Sequence, residues 1–187
     1  MGKIKIALNN FIAGAGKSTI ANYLESEYGF KQYALADGIY EIAYRYFDIP
    51  RGTKPPRKLL HHIGESLRQY DKLLWIKYTL NRIEQDNHNR VVITDVRKLL
   101  EHAYLLEHGW DHLMVYCEPE IALQRLIKRD GRENVDKELV INSPLENQLR
   151  SLLESNTMKI IDNTGDWNEV RKSIDRYIQE LINKNQK

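Results

Sequence analysis

Lys17 stands directly after Gly14-Ala15-Gly16 and directly before Ser18-Thr19. A glycine turn running into Gly-Lys-Ser is built to hold phosphate. Glycines let the backbone curl so that successive N–H groups point at anionic oxygens, and the start of the following helix adds about half a positive charge. In such a turn Lys17 reaches the β and γ phosphates as a mobile point charge, and the Ser18 hydroxyl ligates magnesium. The pattern G-x-x-x-x-G-K-[ST] asks for a first glycine where this chain has Phe11. Phe11 is expected to pack beneath the loop, leaving Gly14 and Gly16 to make the close approach.

The remaining candidates carry charge that such a site can use. Asp95 closes the apolar run from Val91, where a carboxylate orients magnesium directly or through water, or else caps a helix. Arg97 follows two residues on, and its planar fork suits phosphate as well as a surface ion pair. Arg125 and Arg129 are four apart and share a helical face, and Arg132 follows in a polar stretch containing glycine. Three arginines there suit a lid that neutralises charge in phosphoryl transfer; the alternative is a solvated helix end. Asp37, ending a second strand, accepts a proton from a hydroxyl acceptor, hydrogen-bonds an acceptor's sugar, or caps a helix. Arg68 clamps an acceptor phosphate or forms an exposed ion pair. Trp75 lies off the apolar stripe of its helix and either walls a base pocket or packs a second helical face. The six histidines show no metal-ligand spacing, and His61 and His62, being adjacent on a helix, cannot face one centre.

The elements that must position these residues follow from periodicity. Lys3 to Leu8 alternates and then turns wholly apolar, as a strand entering a core does, and Ile20, Tyr23 and Leu24 fall on one helical face after the glycine turn. Lys31 to Leu35 reads as a short strand, and Gly38 to Phe47 as a helix opened by Asp37. Asp48 to Pro56 is a surface loop. Two helices come next, Arg57 to Tyr70 and one capped by Asp71 with Leu73, Ile76, Leu80 and Ile83 inward. Arg90 to Asp95 reads as a buried parallel strand. The helix after it carries Leu99, Ala103 and Leu106 inward and stops at Gly109. His112 to Cys117 is a strand, and Pro119 takes the first position of the next helix. Arg129 to Asn134 breaks that helix, and Ser143-Pro144-Leu145-Glu146 restarts one with a capping box. Met158 to Asp162 is the last strand. Asp166 opens a final helix with Val170, Ile174, Tyr177 and Leu181 inward. Five strands alternating with helices imply an α/β fold, a parallel sheet with helices on both faces.

The chain's 187 residues suffice for one domain with a small lid, and 28 Lys and Arg against 26 Asp and Glu give a net charge of +2. That balance makes no case for wholesale nucleic-acid binding, so functional positive charge must be local. A single cysteine, Cys117, lies in an apolar run, so no internal disulfide forms and its expected role is a buried structural thiol. Apolar runs fall short of membrane-spanning length and the start lacks a signal-peptide core, so the expectation is a cytoplasmic protein without a membrane partner.

Asn10 to Thr19, Ala34 to Asp37, Leu60 to Arg68, Val91 to Arg97 and Asp162 to Gly165 together resemble the ordered motifs of P-loop nucleotide kinases. The likeness covers nearly the whole chain and is strongest to the deoxynucleoside monophosphate kinases of bacteriophages, with dephospho-coenzyme A kinases next. It implies a single three-layer α/β/α domain over 1–187 with a five-stranded parallel sheet in order 2-3-1-4-5. It further implies a lid roughly within 125–143 and an acceptor-binding helical insert roughly at 37–88. The implied activity is transfer of a phosphoryl group from ATP, with Mg2+, to a small nucleotide acceptor. Gly14, Ala15, Gly16, Lys17, Ser18 and Thr19 then serve ATP, with Ser18 and Asp95 on the metal. Asp37, Arg68, Asp95 and Arg97 serve the acceptor, Arg125 and Arg129 the lid, and Thr164 and Gly165 lie beside adenine. A hydroxyl acceptor and a non-catalytic nucleotide-binding module remain as alternatives, and oligomeric state is left open.

Overall fold

The computed structural model describes residues 2–10, 12–141 and 158–186. Phe11 and the expected helix start at Ser143-Pro144-Leu145-Glu146 lie outside them. The chain forms two compact units, Met1–Gln32 with Asn89–Lys187, and Tyr33–His88.

The sheet follows from which strands are apolar along their whole length. β1 (Ile4–Asn10), β3 (Arg90–Ile93) and β4 (Asp111–Tyr116) are buried almost throughout, as strands covered on both faces must be. β2 (Lys31–Tyr33) and β5 (Met158–Asp162) are the edges, and β5 exposes Lys159 and Ile160 while burying Ile161. All five are parallel in the order β2-β3-β1-β4-β5. Ala7 pairs with Ile93, Asn10 with Val115 and Val115 with Ile161, so β1, β3, β4 and β5 all finish along one edge.

One face of the sheet, through Ile6, Leu8, Val92, Leu113 and Val115, packs on α1 (Lys17–Tyr28) and on the final helix α8 (Trp167–Lys184). Asp166 caps α8, its carboxylate accepting the Asn168 N–H at 2.8 Å, and Val170, Ile174, Tyr177, Ile178 and Leu181 are buried. Between these elements run α5 (Leu99–Glu107), α6 (Pro119–Asp130), a 3₁₀ turn at Arg132–Asn134 and α7 (Lys137–Ile141).

α5 turns the opposite way from its apolar stripe. Leu99, Ala103 and Leu106 are exposed, and Glu101, His102 and Leu105 face inward. Glu101 is drawn in because its Oε2 accepts the backbone N–H groups of Arg97 and Lys98, both at 3.0 Å. His102 is drawn in by His112 on β4, whose ring centroid lies 3.8 Å away. The Nδ1 of His112 meets the amide of buried Asn9 at 3.1 Å, and burial, with His102 nearby, pushes the His112 pKa down to about 3.

The second unit holds α2 (Asp37–Tyr46), α3 (Arg57–Tyr70) and α4 (Leu74–Asp86). α2 begins one residue earlier than its apolar pattern suggests, with Asp37 inside the first turn and Ala36 at the cap. α4 begins later than expected. Asp71 instead folds a turn ahead of it, accepting from Leu73 N–H at 2.9 Å and Lys77 Nζ at 2.7 Å. Its buried face is Trp75, Ile76, Thr79 and Ile83, with Leu73 and Leu80 only half-buried. Trp75 is buried on a second face of α4, and its indole N–H donates to the Gly64 carbonyl at 3.1 Å. Among the described residues no helix is long and apolar enough to cross a membrane.

Candidate functional site

The glycine loop leaves the sheet where β1 ends. Asn10 Nδ2 donates to the Ile12 carbonyl at 2.7 Å and the Ala15 N–H returns to the same oxygen at 3.3 Å, which folds the chain back on itself. Ile12 and Ala15 are buried in the core, and so fasten the loop from below while Ala13, Gly14 and Gly16 stay near the surface. Gly14 and Gly16 have φ of 86° and 87°, the left-handed region in which a side chain is strained. Each also lacks room for one. A Cβ on Gly14 would strike the Ala122 carbonyl oxygen and lie 2.8 Å from Leu126 Cγ, both on α6, and a Cβ on Gly16 would strike the Asn163 side-chain amide.

Gly16 is the N-cap of α1, with no side chain capping it and no acidic residue in the first turn. The first-turn N–H groups, beginning at Lys17, therefore face the hollow of the loop together with the positive end of the helix, which makes an anion site. Ser18 and Thr19 are exposed there and Lys17 is half-buried. The residues present fit a polyphosphate: close backbone, uncapped amides, a lysine and two hydroxyls at one end of one helix.

A wall of side chains holds this loop. Asn163, just past β5 and buried, donates from Nδ2 to the Ala15 carbonyl at 2.7 Å. Arg125 on α6 donates to the carbonyls of Asn163 at 2.8 Å and Thr164 at 3.4 Å, and reaches Cys117 Sγ at 3.4 Å. Thr164 Oγ1 in turn accepts the Glu118 N–H at 3.0 Å, and Gly165 next to it is exposed. Loop, α6 and the turn after β5 are one hydrogen-bonded assembly. Burial pushes the Cys117 thiol up, which keeps it protonated, as a structural thiol should be.

Asp95 emerges at the same edge. Ile93, the last residue of β3, is level with Ala7, and Asp95 follows two residues beyond that strand end. It is half-buried and Arg97 is exposed, with the turn between β3 and α5 fixed by Glu101. Arg129 does not share the arrangement of Arg125. Its guanidinium makes two 2.7 Å bonds to the neighbouring Asp130 at the surface.

Asp37 and Arg68 lie in the second unit. Asp37 Oδ2 accepts the Ala34 N–H at 3.2 Å and Arg82 Nη1 at 3.0 Å. Arg82 also sits over the rings of Tyr33 and Tyr78, at 5.9 and 5.8 Å. Arg68 pairs with Glu65 at 2.7 Å with its side chain only 19% exposed. Sequence reasoning missed Arg82, Glu101 and the loop-holding role of Asn163. For Asn163 a signal existed, a polar turn directly after an apolar strand; the Asp37–Arg82 pair spans 45 residues and left none.

A family model described as an AAA domain matches residues 12–147. Solved structures share the architecture. The protein TT1252 from Thermus thermophilus is 19% identical over 97% of this chain and 99% of its own, with a TM-score of 0.60. A sugar kinase from Janibacter sp. HTCC2649 is 18% identical over 95% of each chain, TM-score 0.54. A dephospho-CoA kinase from Campylobacter jejuni is 19% identical over 96% of this chain and 97% of its own, TM-score 0.53. At these identities the likeness is one of fold, the P-loop NTPase fold with the five-stranded parallel sheet described above.

Proposed function

The chain belongs to the AAA domain family, and from that premise we propose that it is a magnesium-dependent ATP:(deoxy)nucleoside monophosphate phosphotransferase. The observation that carries this reading is the glycine loop held between α6 and Asn163 and opening onto the uncapped start of α1.

Gly14 to Thr19 hold the phosphate chain of ATP through backbone N–H groups, and Lys17 adds a point charge at its β and γ phosphates. Ser18 and Asp95 would hold the magnesium ion, which when bound neutralises phosphate charge. Arg125 keeps the Asn163-Thr164-Gly165 turn against the loop, where that turn flanks adenine. Arg129 supplies a lid cation once it leaves Asp130. Asp37, Arg68 and Arg97 position the acceptor, whose phosphate oxygen attacks the γ-phosphorus in line as ADP leaves.

The test is incubation with ATP, magnesium and a panel of nucleoside monophosphates. Diphosphate product with at least one supports the proposal, and none with any sinks it. Asp37 favours a second reading, transfer to a hydroxyl acceptor that needs a base. With Ala34 N–H and Arg82 both on one oxygen, Asp37 is better placed to orient a substrate than to take its proton. If a hydroxyl acceptor is used, Asp37→Asn abolishes turnover and leaves ATP affinity unchanged. ATP binding by calorimetry with no transfer to any acceptor would instead mark a non-catalytic module.

A further inference from the structure

Between α2 and α4 lies a cavity of about 330 Å³ that the phosphate chemistry does not use. Its wall is aromatic and fixed. Trp75 is 3% exposed and tied by its indole N–H to the Gly64 carbonyl. Tyr78 donates its hydroxyl to Glu41 Oε2 at 2.9 Å and carries Arg82 over its ring at 5.8 Å. Burial, with Glu41, raises the Tyr78 hydroxyl, so it stays a donor. Gly38 brings α2 against these rings, since a Cβ there would stand 2.9 Å from both Trp75 Cζ3 and Tyr78 Cδ1. Ile42 and Tyr46 add apolar surface from α2.

The volume is at the small end of the roughly 300–1,000 Å³ typical of ligand sites. Fixed aromatic side chains and an apolar lining suit a flat ring and not a sugar, whose hydroxyls would each need a polar partner. Two charged side chains stand on the lining, both from one face of α2: Glu41, whose Oε1 lies 3.8 Å from Arg51 Nη2, and one helical turn later Arg45, whose guanidinium sits 5.6 Å from the centre of the Tyr46 ring. A carboxylate takes paired N–H donors and a guanidinium fork takes paired acceptors. Guanine alone among the common bases offers both, N1–H with its exocyclic amine on one edge and O6 with N7 on the next.

We infer that the cavity between α2 and α4 holds the base of the acceptor, and that Glu41 and Arg45 select guanine. The inference rests on the phosphotransferase reading above and names its acceptor class.

The experiment uses the full-length protein with GMP, dGMP, AMP, CMP, dTMP and ribose 5-phosphate as acceptors. The wild type should favour guanine nucleotides in kcat/KM by about tenfold or more, the discrimination a paired contact supplies. Glu41→Gln should abolish that preference, and Ile42→Trp, which fills the cavity, should raise KM for every nucleotide acceptor at least about tenfold. KM for ATP should hold in both variants. Quenching of Trp75 fluorescence by GMP, absent in Trp75→Phe, reads binding apart from turnover. Turnover with no base preference, or a preference that survives Glu41→Gln, overturns the inference and leaves the enzyme reading standing. Guanine-selective binding without transfer to any acceptor does the reverse, and neither binding nor transfer overturns both.

Discussion

Gly16→Ala tests whether the glycine loop is held by Asn163. At φ 87° an alanine is strained by about 1–2 kcal/mol, and its methyl falls on the Asn163 amide. Asn163 must then move, which breaks its 2.7 Å bond to the Ala15 carbonyl. Losing one partner of a buried bond costs about 1–3 kcal/mol, so the single substitution should destabilise by roughly 2–5 kcal/mol. Asn163→Ala alone loses the same bond, about 1–3 kcal/mol. In the double variant the collision has nothing to strike, because the Gly16 methyl meets only Asn163 side-chain atoms and, at 3.9 Å, Arg125 Nη1. Only strain is then added to the lost bond. The double variant should be more stable than the sum of the singles by about 1–3 kcal/mol. Urea unfolding of the four proteins measures this. Effects that add to within about 0.5 kcal/mol would refute the reasoning, because the two residues would then not share a contact.

Arg125→Ala removes a half-buried cation's bonds to two carbonyls and should cost roughly 1.5–3 kcal/mol, weakening ATP binding as well. Arg129→Ala loses only an exposed pair with Asp130 and should change stability by less than about 1 kcal/mol, so any fall in kcat reports its lid role. Thermal melts and steady-state kinetics on both variants check this. His112 has its folded pKa depressed to about 3, so its contribution is fully present above the unfolded value near 6.5 and is lost as pH falls from there towards 3. Between pH 7 and pH 5 the wild type should lose roughly 2 kcal/mol more than His112→Gln, by urea unfolding at the two pH values. Phe11→Gly should leave ATP affinity by calorimetry within about tenfold, since the amides that cradle phosphate come from Gly14 to Ser18.

What was legible in the sequence was whatever local chemistry decides. α3 and β5 occupy the expected residues, Gly109 stops α5 with φ 71°, Pro119 opens α6, and Asp166 caps α8. The glycine loop with strand before and helix after was legible for the same reason, as its backbone demands are written in residue types. α5 was misread because it is apolar nearly all round, and its inward face is chosen by two polar residues, Glu101 turning back to cap and His102 meeting His112. A hydrophobic stripe cannot report such a choice. α4 was shifted because Asp71 bonds to Leu73 and Lys77 in a turn of its own, and Thr79, a polar residue, takes a buried place. In the site, Arg125 meets the turn after β5, which no local pattern reports. Its contact with Asn163 joins residues 38 apart, and only the strand order brings them together.

The step proposed for this protein is direct phosphoryl transfer from ATP to a nucleoside monophosphate at the Lys17 loop. Phosphorus NMR of the protein with ATP, magnesium and GMP follows each phosphate at once. The γ signal of ATP should fall as the β signals of ADP and GDP rise in equal amounts, and Lys17→Ala should slow this at least about a hundredfold. ATP hydrolysis to free phosphate with no nucleoside diphosphate formed from GMP or from any other monophosphate put in its place, or unchanged transfer by Lys17→Ala, would contradict it.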